Sequence, residues 1–316
     1  MEKRVVVVGS FNVDHVWTSA SLPVAGATLA GRYHSGPGGK GFNQAIAATR
    51  SGAGTTFLCA LGDDPGAALA RALAADDGID LRAAASTRPT GTAGIFVDAE
   101  GRNSIVIGAG ANADLAPAFV DAQRDAFATA GVVLVQLESP LPAVIAALRA
   151  AGDAGALAML NPAPANAVAS AELLSLCDVA TPNETEFAAL LATHCKERLD
   201  PEAVAGTDDA ALHALARRLL PGGSVVVTLG SAGLFVSHPA EALRGDTHAH
   251  YRIAAEATKV VDTTGAGDAC NGALAASLAL RPGRPFHEHA TFANHYAARS
   301  TEQAGAAAAM PRLLVP

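Results

Sequence analysis

The sequence predicts an α/β protein in which a mainly parallel sheet is flanked by helices on both faces, with a small β-sheet beside it. Three observations carry this expectation. Short aliphatic runs alternate with Ala/Leu-rich helical stretches along the chain. The runs are apolar throughout instead of at every second residue, which is the pattern of strands covered on both faces. Two stretches break the rhythm with glycine, threonine and alternating apolar residues. Half of the 316 residues are hydrophobic, enough for a large core, but only 4% are aromatic, so that core has to be packed from Ala, Val, Leu and Ile.

Taken in order, the strand runs fall at 5–8, 132–137, 156–160, 177–180 and 225–229. The helical stretches fall at 41–51, 66–76, 141–151, 184–192 and 208–220, the last with Thr207 as its N-cap. The interruptions are 11–37 and 88–110. Within the second, "TAGIFVDAEGRNSIVIG" reads as a hairpin turning at Glu100 and Gly101. Paired with each other, the two insertions would form a β lid over a core made of 1–10, 38–87 and 111–316. The open edges of such a lid favour a homodimer through it.

A net charge of −8 with no basic run disfavours nucleic acid or an anionic membrane as partner. Cys59, Cys177, Cys195 and Cys270 form no CxxC pair and read as reduced thiols. The apolar start meets Asn12 and Asp14 too soon for a signal peptide, and no uninterrupted apolar segment approaches the roughly 20 residues of a membrane span. A cytoplasmic protein is expected. The His-x-His pairs His248/His250 and His287/His289 have no third ligand nearby and are expected in solvated segments.

Polar residues follow every apolar run. Gly9, Ser10, Asn12 and Asp14 follow the first, Glu138 the second and Asn161 the third. Thr181, Asn183, Glu184 and Glu186 come after the fourth, and Thr228, Gly230, Ser231 and Gly233 close the fifth. In an open parallel sheet, ligands bind outside the carboxyl ends of the strands, so all of these residues are expected at one rim. Each alone also reads as a cap or turn residue.

Neither common nucleotide fingerprint is present. "HSGPGGKGF" has His34 where a Walker A loop needs its first glycine and Gly41 where it needs a hydroxyl, and "VVVVGSFNVD" lacks the later Rossmann glycines. The stretch "VVDTTGAGDACNGAL" offers something else. Glycines let the main chain approach a ligand, and the free N–H groups of a first helical turn attract anions. An aspartate fixed at that turn suits phosphoryl transfer, with amides holding the transferring group while Asp268 takes the acceptor's proton. The plainer alternative is an acid favoured at a helix N-terminus.

With "GSFNVDH", "GGKGFNQA", "GDD", "GAGAN", "QLESPL", "LNPAPA", "TPNETE", "TLGSAG" and "DTTGAGD" in this order over nearly its whole length, the chain resembles the ribokinase family of sugar kinases, the PfkB-type carbohydrate kinases. "QLESPL" and "LNPAPA" narrow the likeness toward the ribokinase branch. The resemblance implies a three-layer ribokinase-like core with a β lid that often clasps a dimer. It also implies ATP-dependent transfer to the 5-hydroxyl of D-ribose, or the same chemistry on adenosine, pseudouridine, fructose or a deoxyaldonate.

Carried over by position, the resemblance makes Asp268 the base and places the anion hole at Gly265, Ala266 and Gly267. Asn12, Asp14, Gly39, Lys40, Asn43 and Glu138 would hold the sugar, although Lys40 also reads as a surface lysine. Asn183 and Glu186 would organise Mg²⁺ partly through water, or simply start a helix. Thr228, Gly230, Ser231, Gly233, Gly267 and Asn294 would line the nucleotide. Asp262, Thr264, Ser300, Gln303, Gly305 and Ala309 would hold K⁺, several through main-chain carbonyls. The chain departs from the family at Ala27, where a glutamate is common, and in its "ARSTEQAGAAAAMP" tail.

Overall fold

The computed structural model describes residues 3–316, so the first two residues of the expected core segment 1–10 lie outside it. Strands are numbered along the chain. The main sheet contains β1 (Arg4–Val8), β4 (Thr55–Leu61), β5 (Asp80–Ala85), β8 (Ala130–Val135), β9 (Leu157–Leu160), β10 (Val179–Ala180), β11 (Ser224–Thr228), β12 (Leu234–Ser237) and β13 (His250–Ile253). Their spatial order is β13-β12-β11-β10-β9-β8-β1-β4-β5. Every pairing is parallel from β5 to β11, and β12 and β13 close that edge antiparallel.

The valine run of β1 explains the layering. Successive strand residues face opposite sides of a sheet. Val5 and Val7 pack into one apolar cluster with the helices Lys40–Arg50, Ala266–Leu280 and Phe286–Ser300. Val6 and Val8 pack into a second cluster with Leu141–Ala154 and Asp209–Leu219. A strand buried on both sides has no place for alternation.

The helix Ala266–Leu280 is rich in small residues because it lies against Lys40–Arg50 with little space between their backbones. A Cβ added at Gly272 would fall 2.4 Å from the Gln44 carbonyl oxygen and 2.5 Å from the Ala47 Cβ.

The second sheet holds β2 (Asn12–Thr18), β3 (Arg32–Gly38), β6 (Gly91–Val97) and β7 (Asn103–Gly108) in the order β3-β2-β6-β7. β2 joins the two insertions, antiparallel to β3 and parallel to β6. The β6–β7 hairpin turns where expected, with Gly101 at φ +78°. The buried Asp98 carboxylate accepts the Glu100 and Arg102 main-chain N–H groups and pairs with the Arg102 guanidinium.

Several elements were not among those expected. β4 is buried at all seven positions, yet "TTFLCAL" opens on two threonines; Thr55 satisfies its hydroxyl on the Ala53 carbonyl and Thr56 on Asp80. The helix Phe286–Ser300 hides an apolar stripe (Phe286, Ala290, Ala293, Tyr296) among histidines and other polar residues. His289 lies in that helix, and contrary to expectation it is buried, 2% exposed, with Nδ1 2.7 Å from Ser277 Oγ. The N-cap of Asp209–Leu219 is Asp208, whose carboxylate accepts from the Ala210 and Ala211 N–H groups. Thr207 instead donates back to the Ala203 carbonyl, because its side chain closes the preceding turn. Among the described residues no helix is long and apolar enough to cross a membrane.

Candidate active site

The chain leaves β1 at Gly9 and Ser10 and passes under the start of Lys40–Arg50. There the backbones touch. A Cβ at Gly39 (φ +88°) would lie 2.8 Å from the Asn12 nitrogen, and one at Gly41 would lie 2.5 Å from the Ser10 nitrogen. Glu138, just past the end of β8, clamps this contact. Its Oε2 accepts from Ser10 Oγ at 2.6 Å and from the Lys40 main-chain N–H at 3.0 Å.

Asn12 and Asp14 extend from this point along one face of β2. Asn12 is buried, and its Oδ1 accepts from Asn112 Nδ2 at 2.8 Å. Asp14 lies over β3, where a Cβ on Gly38 would come within 2.1 Å of its carboxylate. Burial, and then the charges of Glu138 and Asp268, push the Asp14 pKa up to about 7. Lys40 answers these acids. Burial alone would lower its pKa, but the charges of Asp268, Glu138 and Glu186 hold it above its ordinary value.

Asp268 is in the first turn of Ala266–Leu280, whose N-cap Gly265 has φ +78° and no side-chain cap. The residue is 6% exposed, and its carboxylate is gripped at both oxygens, by Asn43 Nδ2 on Oδ2 at 2.9 Å and by Gln44 Nε2 on Oδ1 at 2.8 Å. No side chain caps this first turn; the Ala266 N–H donates to the Thr263 carbonyl at 3.1 Å. Around the turn lies a cavity of about 180 Å³ lined by Lys40, Asn161, Thr181, Asn183, Glu186, Thr228, Thr263, Gly265, Ala266, Gly267, Asp268 and Asn271. A lysine, a carboxylate and a helix N-terminus converging on one space can bind an anion and take up a proton beside it.

Asn183 and Glu186 line the same cavity and also form a capping box. Asn183 Oδ1 accepts the Glu186 N–H, and Glu186 Oε2 accepts the Asn183 N–H. Burial raises the Glu186 pKa. Among the described residues no group of three or more His, Cys, Asp or Glu side chains could cage a metal. One buried carboxylate beside an anion pocket fits Mg²⁺ held through waters and phosphate oxygens.

The other expected site residues divide. Thr228 ends β11 against Asn183 and faces the cavity. Gly230 and Ser231 form the next turn, outside the cavity lining. Gly233 (φ +89°) is demanded by packing, since a Cβ there would lie 2.0 Å from the Ile253 oxygen. Asn294 donates Nδ2 to the Ala254 carbonyl at 2.8 Å, tying the helix Phe286–Ser300 to the segment after β13.

Asp262 joins the segment before the Gly265–Asp268 turn to the tail, accepting from Thr264 on Oδ1 and from the Gly305 N–H on Oδ2. Ser300 spends its hydroxyl on the Ala297 carbonyl, Gln303 is exposed and Ala309 is buried. Sequence reasoning passed over Gln44 and Asn271. Asn271 lies one turn beyond Asp268 and hydrogen-bonds the Thr181 hydroxyl.

A glycine-started helix with an embedded acid, at the strand-end rim of a mainly parallel sheet and beside a small second sheet, is the arrangement of a carbohydrate kinase. The chain matches the pfkB family carbohydrate kinase domain over residues 2–313, and it belongs to that family. The enzyme is therefore a phosphotransferase with an alcohol acceptor on a ribokinase-like fold.

A bifunctional ribokinase/ribose-5-phosphate isomerase A from Fructilactobacillus sanfranciscensis is 38% identical over 315 residues, covering 98% of this chain and 54% of that protein, so the chain spans about half its length. The Haemophilus influenzae ribokinase is 35% identical, with 98% of this chain and 96% of that one covered. The structure of Arabidopsis thaliana ribokinase complexed with ribose and ATP superposes with a TM-score of 0.80 at 31% identity, covering 98% and 96% of the two chains.

Proposed function

We propose that the protein is an ATP-dependent ribokinase, moving the γ-phosphate to the 5-hydroxyl of D-ribose. The observation that carries this reading is the Asp268 carboxylate, fixed by Asn43 and Gln44 in the first turn of Ala266–Leu280 and facing the cavity shared with Lys40. Ribokinases aligned along their whole length support the choice of sugar.

In this reading Asn12, Asp14, Lys40, Asn43 and Glu138 bind the ribose hydroxyls. Asn43 Oδ1 is buried with no partner among the described residues, an acceptor that a sugar hydroxyl would satisfy. The N–H groups at Gly265, Ala266 and Gly267 hold the transferring phosphoryl group, and Asp268 accepts the proton as the new bond forms. A loose transition state releases that proton late, so a weak base suffices. Thr228, Gly230, Ser231, Gly233, Gly267 and Asn294 border the nucleotide.

Asn183 and Glu186 would hold Mg²⁺ through water, and the ion supplies charge neutralisation of the phosphates when bound. Asp262, Thr264, Ser300, Gln303, Gly305 and Ala309 would hold K⁺ behind the anion hole. The lid formed by 11–37 and 88–110 over the core of 1–10, 38–87 and 111–316 would clasp a second copy in the cytoplasm. The sheet face that carries Asp14 continues across Ala93 to Ile107 and across Ile95 to Ile105, both isoleucines about half exposed. Light scattering that finds only monomer would reject the clasp.

The decisive assay offers MgATP with ribose, fructose, adenosine or pseudouridine, with and without K⁺. Ribose should lead in kcat/KM by more than about tenfold, because a site built on hydroxyl bonds leaves buried groups unpaired with other substrates. A smaller lead would reject ribose as the substrate.

Asp14 adds a pH signature. With its pKa near 7, the carboxylate gains a proton as pH falls through neutrality and stops accepting from sugar hydroxyls. The ribose KM should rise several-fold from about pH 8 to pH 6, and Asp14→Asn should flatten this limb. In the sugar-free enzyme the sign for stability is opposite. A carboxyl whose folded pKa is raised stabilises the fold when protonated, so stability from this group increases as pH drops from about 7 toward the ordinary carboxylate range. A pH-independent KM would remove Asp14 from the sugar site.

A further inference from the structure

Behind the catalytic turn lies a buried chain of side-chain amides that the transfer reaction does not itself use. Gln44 is fully buried and is committed in three directions. Its Nε2 donates to Asp268 Oδ1 at 2.8 Å and to Asn161 Oδ1 at 3.0 Å, while its Oε1 accepts from Gln136 Nε2 at 2.5 Å. Asn161 is fixed in turn by donating Nδ2 to the Thr181 carbonyl at 3.0 Å.

This pattern leaves Gln44 one orientation. An ionised carboxylate only accepts, so the nitrogen of Gln44 must face Asp268, and Gln136 meets the remaining oxygen. A freely rotating Asp268 could present either oxygen to the cavity. Here Oδ1 is held by an amide that cannot turn, and Oδ2 is left with Asn43, which borders the sugar site.

We propose that Gln44 is a positioning residue for catalysis: locked between Gln136 and Asn161, it fixes the rotamer of Asp268 so that Oδ2 meets the acceptor hydroxyl. The proposal rests on Asp268 being the base. Gln44 touches neither sugar nor nucleotide, so its effect belongs in turnover and not in substrate binding. A group misplaced by about 1 Å can cost on the order of 100-fold in rate.

The test compares Gln44→Met, which keeps the volume and loses the donor, with Gln44→Glu. Gln44→Met should lower kcat by about 10- to 100-fold. Its ribose Kd by calorimetry and its KM should stay within about threefold of wild type. Gln44→Glu places two carboxyl groups in contact, and such a pair holds one proton between them. Its kcat should therefore fall as pH rises and that proton leaves, a limb absent from wild type and from Gln44→Met. Gln136→Met, which removes one of the partners that lock the Gln44 amide, should show a smaller loss in the same direction.

Unchanged kcat in Gln44→Met overturns the proposal. So does a Gln44→Glu profile that overlays wild type, or a loss shared equally between turnover and ribose binding, which would mark general damage to the site. Failure of the base assignment is read separately: Asp268→Asn with wild-type turnover rejects it whatever the Gln44 variants do, and the positioning role falls with it.

Discussion

Asp268→Asn is expected to lower kcat by about 10³-fold, within the usual span for removal of a general base, while ribose binding stays measurable by calorimetry. The substitution keeps the shape of the side chain and changes two things. It removes the proton acceptor, and it replaces one accepting oxygen with an N–H₂ donor. The second change matters because both carboxylate oxygens already face donors, Asn43 Nδ2 and Gln44 Nε2. Gln44 is locked between Gln136 and Asn161, so it is Asn43 that meets the new donor and turns away. The ribose Kd weakens accordingly, because that side chain is also placed at the sugar. Asp268→Ala separates the effects by leaving both donors free of a clash, and should show the same loss of turnover. Single-turnover measurements on both variants decide the matter. Turnover near that of wild type in either one rejects Asp268 as the base and, with it, the kinase mechanism proposed for this cavity.

What the sequence revealed of this site follows from how local each interaction is. The Gly265–Asp268 turn was readable because a left-handed glycine before an acid leaves its mark within four residues. The lid hairpin was readable for the same reason, through Gly101 and the alternation on either side of it. Asn183 and Glu186 show the limit of this reading. A capping box and a metal-organising pair use the same residue types at the same spacing, and the structure shows the capping box formed at the wall of the cavity.

Gln44 lay beyond sequence reasoning because its partners are 224 positions away at Asp268 and 92 away at Gln136. Nothing within its own helix announces them. Phe286–Ser300 was missed for a different reason. Its buried face includes His289 and Ser300, whose polar groups are satisfied by Ser277 and by the helix itself, so the apolar period is diluted. In each case the sequence carried the element's chemistry, and only the tertiary partner decided its use.

Gly272 is a close-packed point directly behind the site, and Gly272→Leu should destabilise the protein by about 3 kcal/mol, at the upper end of the overpacking range. The helix Ala266–Leu280 meets Lys40–Arg50 backbone to backbone here, and the added carbon would lie 2.4 Å from the Gln44 carbonyl and 2.9 Å from the Ala48 nitrogen. Neither is the end of a flexible side chain, so the only relief is to move the helices apart. Those two helices carry Asp268 on one side and Lys40, Asn43 and Gln44 on the other. Spreading them lengthens the 2.8 and 2.9 Å bonds that fix the Asp268 carboxylate. Turnover should therefore fall well below what the loss of folded protein explains, by roughly 10-fold or more at temperatures where the variant remains folded. The melting temperature should drop by roughly 4–5 °C. Gly152→Leu is the matched control. It also lies in a helix, Leu141–Ala154, but is exposed, and a Cβ there meets nothing within 4 Å. It should be neutral or gain up to about 1 kcal/mol, since glycine is a poor residue inside a helix. Equal melting temperatures for the two variants would show that the helices are not in contact at Gly272, and the geometry assigned to the base would not survive that result.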